Sequence, residues 1–463
     1  MSVDTTGATD NSDTHRAGTT GGVPLRRDVP REETWDLERI FPTAEAWEEA
    51  YWAAEGRLRD PERFRGRLGE SPAALLAGLQ LRDELQEAVG RIGTFAFLRR
   101  AEDSTNSGAA ALAERGSGLA TRFRSAIAFY DAELLALPRE RVQEFLAAEP
   151  GLAPYRHALD QLERSREHVR SAEVEEVLAQ ASDLAGVPRT IHDVLEKGEL
   201  PFGTIEDERG APVPLAQGNL DRFLHSPNRR VRREAWERSA DAYLALENTF
   251  AATLAGGVKR DVFYARARGY SSSLDAALDP HAIPTTVFHN LLETVWANLP
   301  VWHRYFRVRC RLLGIAEGDL RGWDLTAPLA TDPPHMPWPQ GVELVLESLA
   351  PLGDAYVGIV RRGLEERWVD RAANVGKGGG AFSWGSYGTV PFISMVYKDD
   401  LGSVSTLTHE LGHSLHSYHA WQGQPITYWP YAMFTAETAS NMHQALLGAH
   451  LLEMNQERDW TLA

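Results

Sequence analysis

This sequence predicts a mainly α-helical chain with a small β-sheet beside one histidine-bearing helix, and three observations carry that prediction. From Trp35 to about Gln180 the chain is dominated by Ala, Leu, Glu and Arg, with apolar residues three or four positions apart. Near Glu199 that texture gives way to short runs broken by Pro and Gly, the mark of strands and turns. Further on, a glycine-rich stretch and a strand-like run lead into a helix carrying His409, Glu410 and His413.

In chain order, residues 1–30 are rich in Thr, Gly, Ser and Asp and lack the apolar core of a signal peptide, so they read as a disordered polar tail. Residues 31–199 read as an N-terminal helical domain. Its typical helices run over Leu75 to Phe97, Ala110 to Leu134 and Val142 to Leu162, with Pro and Gly confined to their ends. Leu200 to Ile205, Glu208-Arg209-Gly210 and Pro212 to Leu215 read as a hairpin or short strand pair, opening a second domain over 200–463. Helices resume at Leu220 to Arg266, Pro284 to Leu313 and Gly341 to Trp368. The aromatic-rich run from Val301 to Phe306 reads as core packing of a long helix. No fixed-period repeat stands out.

The segment Thr408-His409-Glu410-Leu411-Gly412-His413 carries the most chemistry. Histidines four apart on a helix lie about 40° apart around its axis, one turn above the other. Both imidazoles can therefore reach one metal ion, with Glu410 beside them aimed at a water on that metal, the pattern of zinc hydrolases. Val404, Leu407, Leu411 and Leu415 fall roughly opposite, so one face packs into a core while the other carries the metal.

Catalytic zinc needs three protein ligands and one open position. The third is expected from the helical stretch opened by Ala436-Glu437-Thr438-Ala439-Ser440, whose apolar positions are Met433, Met442, Leu446, Leu447 and Leu451. Glu437 follows His413 by 24 residues, and Gly423, Pro425 and Pro430 break any helix between, leaving room for an antiparallel return. Upstream, Gly376-Lys377-Gly378-Gly379-Gly380 leads through Ala381 to Gly388 to a latter half, Val390 to Tyr397, that reads as a buried strand. Glycines beside a strand suit close backbone approach, and such an edge can take an extended peptide; a plain flexible loop is the alternative. His416 shares the helical face of His409 and His413 and reads as a packed, hydrogen-bonded histidine.

The net charge of −17 and the lack of a Lys/Arg block argue against nucleic acid or an anionic membrane as partner. No apolar run is long enough to span a bilayer. Cys310 is the single cysteine, which excludes an intramolecular disulfide and a cysteine zinc site and reads as a small buried hydrophobe. A cytoplasmic protein is expected.

With these residues in hand, the chain resembles the M3 metallopeptidases, specifically the oligoendopeptidase F branch, over nearly everything after residue 30. The resemblance rests on Glu33-Thr34-Trp35-Asp36-Leu37, Arg268-Gly269-Tyr270, Leu274-Asp275-Ala276-Ala277-Leu278 and Trp323 to Leu329. It continues through Gly380-Ala381-Phe382, Gly385 to Thr389, the motif helix through Tyr418, Gln424-Pro425 and Ala436 to Ser440. It implies an elongated helical zincin whose two halves flank a deep channel. It also implies one zinc ion held by His409, His413 and Glu437, Glu410 as catalytic base, and short peptides as substrates.

Two departures accompany it. Gln444 stands where relatives often carry a second Glu two helical turns beyond Glu437, so the resemblance does not carry that residue's outer support of the site over to this chain. The sequence reaches Ala463 before the family's later segment, whose His and Tyr donate to the oxyanion, so an incomplete C-terminal part is expected. Tyr387 and Tyr428 are the candidate substitutes. Two other readings stay open: a helical zinc carboxypeptidase, and an inactive or weakly active zinc-binding remnant.

Overall fold

The computed structural model describes residues 23–454. Sixteen α-helices and five short strands are present among them. The helices are α1 (Ala44–Arg57), α2 (Pro72–Glu102), α3 (Ser107–Ile127), α4 (Phe129–Ala136), α5 (Arg139–Ala148), α6 (Arg156–Arg164) and α7 (Ala172–Val194). After strands β1 (Thr204–Glu206) and β2 (Pro212–Pro214) come α8 (Gln217–Leu224), α9 (Arg229–Leu244), α10 (Glu247–Ala267), α11 (Ser273–Leu278) and α12 (Thr285–Leu313). The chain continues with α13 (Trp338–Ser348), α14 (Asp354–Glu365), β3 (Val369–Asp370), β4 (Phe382–Trp384), β5 (Phe392–Ser394), α15 (Leu401–Gly423) and α16 (Met433–Met454).

The fold is mainly helical with small sheets, as the sequence predicts, but several long periodic stretches are divided. Ala110 to Leu134 breaks at Ala128, and Val142 to Leu162 is interrupted by a 3-10 turn over Pro150–Tyr155 that contains two prolines. Leu220 to Arg266 becomes three helices, parted at Ser226-Pro227 and at Ala245-Leu246. Gly341 to Trp368 is cut where Pro351 and Gly353 intervene. New starts are capped by side chains: Asn228 accepts from the Arg230 N–H at 3.0 Å, and Thr43 from the Ala46 N–H at 3.2 Å.

Packing divides the chain into two compact units built from interleaved segments. One draws on the stretch ending at Glu62, on Gln80–Ile127 and on Met336–Leu447; the other on Arg63–Leu79, Ala128–His335 and the chain from Gly448 on. The linear division near residue 199 stays a proposal about sequence order.

In the second unit, β1 and β2 form the expected antiparallel hairpin with Ile205 opposite Val213. Phe202, Ile205, Leu215, Phe223, Val231 and Ala235 bury together against it. The fully buried Asp324 accepts from the Arg229 guanidinium at 2.9 and 2.7 Å, while Arg309 donates to its carbonyl at 2.9 Å. That gives the Trp323 to Leu329 block an anchoring role. Cys310 is buried, as expected. The Val301–Phe306 run departs from its core assignment: Val301 is 66%, Trp302 55% and Tyr305 45% exposed. Periodicity finds the helix but cannot say whether a neighbour covers its apolar side.

The first unit contains the three-stranded sheet in the order β3-β5-β4, with β5 parallel to β3 and antiparallel to β4. All three residues of β5 are buried, as the strand reading of Val390 to Tyr397 expects. Trp35 meets Phe392 edge-on at 6.2 Å, and its indole N–H donates to Glu102 at 2.7 Å. The glycine-rich stretch is pinned by Lys377, whose buried ammonium donates to the carbonyls of Ala372 at 2.8 Å and Met395 at 2.7 Å and to the Asp370 carboxylate. Arg26 pairs with the same carboxylate and with Glu102. Residues 23–30, grouped with the polar tail by composition, therefore include a tethered 3-10 turn, Arg26–Asp28. The rest of that tail lies outside the described residues.

Candidate metal centre

Helix α15 presents the motif because its opposite face has no alternative but the core. Val404, Leu407, Leu411 and Leu415 are each fully buried, while His409 and His413 retain 25% and 16% side-chain exposure. Its start is fixed by Asp400, whose carboxylate accepts from the Ser403 N–H at 2.7 Å. Its middle is tied to the sheet by a 2.8 Å hydroxyl pair between Ser383 on β4 and Ser414. Gly423 ends the helix, a 3-10 turn over Ile426–Tyr428 follows, and α16 returns from Met433.

That return brings Glu437 to the two histidines. Its Oε2 lies 3.3 Å from His409 Nε2 and 3.4 Å from His413 Nε2, and the two Nε2 atoms are 3.2 Å apart. Bonds of about 2.0–2.1 Å in a tetrahedral site place ligand atoms roughly 3.3–3.4 Å from one another. The three donors thus stand at the spacing a zinc ion requires, and their chemistry, two imidazoles and a carboxylate, suits that ion.

Glu410 stands apart from this cluster. The residue is 6% exposed, and its Oε2 is buried with no protein hydrogen-bond partner among the described residues. Burial pushes its carboxyl up to about 7; Glu437 acts in the same direction and His409 opposes them. Burial likewise holds His413 below the ordinary histidine value, against the pull of Glu437.

The sequence did not reveal how α16 supports the site. His409 Nδ1 is 2.9 Å from Gln444 Oε1, and the Gln444 amide donates to Ser405 Oγ at 2.8 Å. Ser440 Oγ donates to Glu437 Oε2 at 2.8 Å. Gln444 therefore hydrogen-bonds a candidate ligand, His409. The buried line of α16 is Ala436, Ser440, His443 and Leu447, whereas Met433 and Met442 are 76% and 50% exposed. Small and polar residues form the packed face because the helices cross closely there: a Cβ on Gly412 would lie 2.5 Å from Ser440 Cα. The recurrence of Ala436, Ser440, His443 and Leu447 at spacings of four, three and four is the available signal.

His416 is packed: it stacks on Tyr431 with ring centroids 3.9 Å apart, and its Nδ1 is buried without a protein partner among the described residues. Tyr387 donates to the Gln424 carbonyl at 3.3 Å.

The profile of Peptidase family M3 matches residues 222–461, and that of Oligopeptidase F matches residues 133–202. The chain is 32% identical over 428 residues to Group B oligopeptidase PepB of Streptococcus agalactiae, covering 92% of this chain and 71% of that protein. The chain belongs to peptidase family M3. This M3 chain is also 38% identical over 431 residues to Oligopeptidase PepF of Bacillus subtilis, covering 93% of itself but 64% of that relative, less than two thirds of its length. Among solved structures, it is similar to a putative peptidase from Chlamydophila abortus, with a TM-score of 0.77 and 28% identity over 94% of this chain and 73% of that one. It also resembles oligoendopeptidase-F from Enterococcus faecium, with a TM-score of 0.65 and 29% identity, covering 89% and 68%. Among the described residues, no helix of this M3 chain is long and apolar enough to cross a membrane.

Proposed function

We propose that this chain is a zinc-dependent oligoendopeptidase that hydrolyses internal bonds of short peptides, with a cytoplasmic location. The observation that carries the reading is the convergence of His409, His413 and Glu437 at 3.2–3.4 Å, beside Glu410, whose buried Oε2 has no partner among the described residues. His409, His413 and Glu437 would hold the ion. Bound there, zinc would supply Lewis acidity toward a scissile carbonyl and toward water.

The remaining chemistry falls to the chain. Glu410, poised near neutrality by burial, takes a proton from the attacking water and delivers it to the leaving amine; such a group contributes about 10²–10⁴ in rate. Strand β4 is the edge of its sheet and is hydroxyl-bonded to the motif helix through Ser383 and Ser414, so its outer edge offers backbone groups to an extended peptide. Its Trp384 is 47% exposed and supplies an apolar contact beside that edge.

The test is zinc stoichiometry together with cleavage of an internally quenched peptide of about ten residues, run on the wild type and on Glu410→Gln. One zinc per chain in both proteins, with cleavage at an internal bond lost only in Glu410→Gln, supports the proposal. Release of single terminal amino acids would instead identify a carboxypeptidase. Intact peptides in the presence of stoichiometric zinc would identify an inactive remnant.

A further inference from the structure

We propose that Gln444 is a positioning residue for the metal centre: a neutral amide, itself aimed by Ser405, that fixes which nitrogen of His409 faces the metal. The inference rests on the metal reading given above and concerns how the protein orients its ligand.

The geometry carries it. His409 Nδ1 lies 2.9 Å from Gln444 Oε1, whereas its Nε2 lies among the other two donors. An amide oxygen accepts from Nδ1–H, the tautomer that leaves Nε2 the lone pair a metal requires. With Nε2 turned to the metal, Nδ1 carries the proton, so the amide presents its oxygen there and its nitrogen donates to Ser405 Oγ at 2.8 Å. Ser405 and His409 stand one turn apart on α15, so Gln444 spans two positions of the helix that carries the ligands.

This hydrogen bond belongs to a set on α16. Ser440 donates to the Glu437 carboxylate at 2.8 Å. One helix thus brings one of the three groups and hydrogen-bonds two of them. Gln444 is the member whose side chain decides a tautomer, and it contributes no net charge. Outer partners of this kind commonly account for 10–100-fold in metal affinity.

The experiment measures the zinc dissociation constant by competition with a chromophoric chelator at pH 7.5, independently of any peptide cleavage. It compares the wild type with Gln444→Met, Gln444→Glu and Ser405→Ala. Gln444→Met keeps the volume and removes the acceptor; a roughly 10–100-fold weaker affinity is expected. Gln444→Glu restores an acceptor at the same reach, and its affinity should equal or exceed the wild type's. Ser405→Ala leaves Gln444 in place but releases its amide, so a smaller, several-fold loss is expected; it serves as the informative variant if Gln444→Met does not fold. Wild-type affinity in either folded Gln444→Met or Ser405→Ala would overturn the proposal, as would failure of Gln444→Glu to recover the loss. A wild type that takes up no zinc would refute the metal reading itself, which distinguishes the two failures.

Discussion

Gly412 packs against Ser440 across the two helices that build the site: a Cβ on Gly412 would lie 2.5 Å from Ser440 Cα and 2.8 Å from the Ala439 carbonyl oxygen. Those are backbone atoms, so no side-chain rotation relieves the clash. Gly412→Ala must part α15 from α16, and Glu437 travels with α16. Zinc affinity is expected to fall at least about tenfold, because a ligand displaced by a fraction of an ångström no longer meets the others. Gly448, where an added Cβ would meet nothing within 4 Å, serves as the control. Gly448→Ala should gain about 0.4–1 kcal/mol in urea unfolding and leave zinc binding alone. Equal zinc affinity in Gly412→Ala and wild type would show that the crossing does not set the site.

Lys377 offers a second prediction. Its ammonium is 2% exposed and satisfied by three carbonyls and the fully buried Asp370 carboxylate. Burial draws the Lys377 pKa down, while Asp370 opposes the shift. Removing one partner of a buried pair leaves an uncompensated charge, a cost of about 3–5 kcal/mol. Arg26 remains on Asp370 and moderates the loss. Lys377→Met should therefore cost about 3 kcal/mol in urea denaturation. A change below about 1 kcal/mol would mean that the glycine-rich stretch is held by something other than this contact.

The exposed aromatic run gives a third. Trp302 is 55% exposed whereas Trp47 is 1% exposed. Trp47→Ala is expected to cost about 3–5 kcal/mol, and Trp302→Ser under about 1 kcal/mol, read as midpoints and slopes of chemical unfolding. A loss for Trp302→Ser as large as that for Trp47→Ala would show that the apolar side of α12 is covered in solution.

These residues mark where sequence reasoning reaches and where it stops. The helix bearing His409, Glu410 and His413 was legible because its two faces differ in chemistry, and the return to Glu437 because Gly423, Pro425 and Pro430 punctuate the loop. What escaped was the packed face of α16, since Ala436, Ser440 and His443 carry little hydrophobicity and owe their burial to a close crossing. Gln444 reads as a departure because its effect depends on the contact its amide makes with His409, a residue remote in sequence. Helix ends were missed where a single Pro or an Ala-Leu step divides a continuous period, as at Ala245-Leu246.

His443 joins three helices, and its titration should be visible in stability. Its Nδ1 lies 3.2 Å from the Thr408 carbonyl on α15, so it donates there and leaves Nε2 to accept from Tyr356 Oη of α14 at 2.7 Å. Both nitrogens are engaged in the neutral form, and burial draws the imidazole down to about 4 from an ordinary value near 6.5. The sign follows directly. Between those two values the unfolded chain binds a proton that the folded chain refuses, so stability is full above about pH 6.5 and declines as the pH falls toward 4. Below that, both states are protonated and the contribution levels off. From pH 7.5 to pH 5 the loss attributable to this one group is roughly 2 kcal/mol. His443→Gln does not titrate there and can still donate to Thr408 and accept from Tyr356. Urea unfolding at the two pH values, under identical zinc conditions, should show the wild type losing about 2 kcal/mol more than His443→Gln. Groups common to both proteins cancel in that difference, so equal losses would place the proton elsewhere.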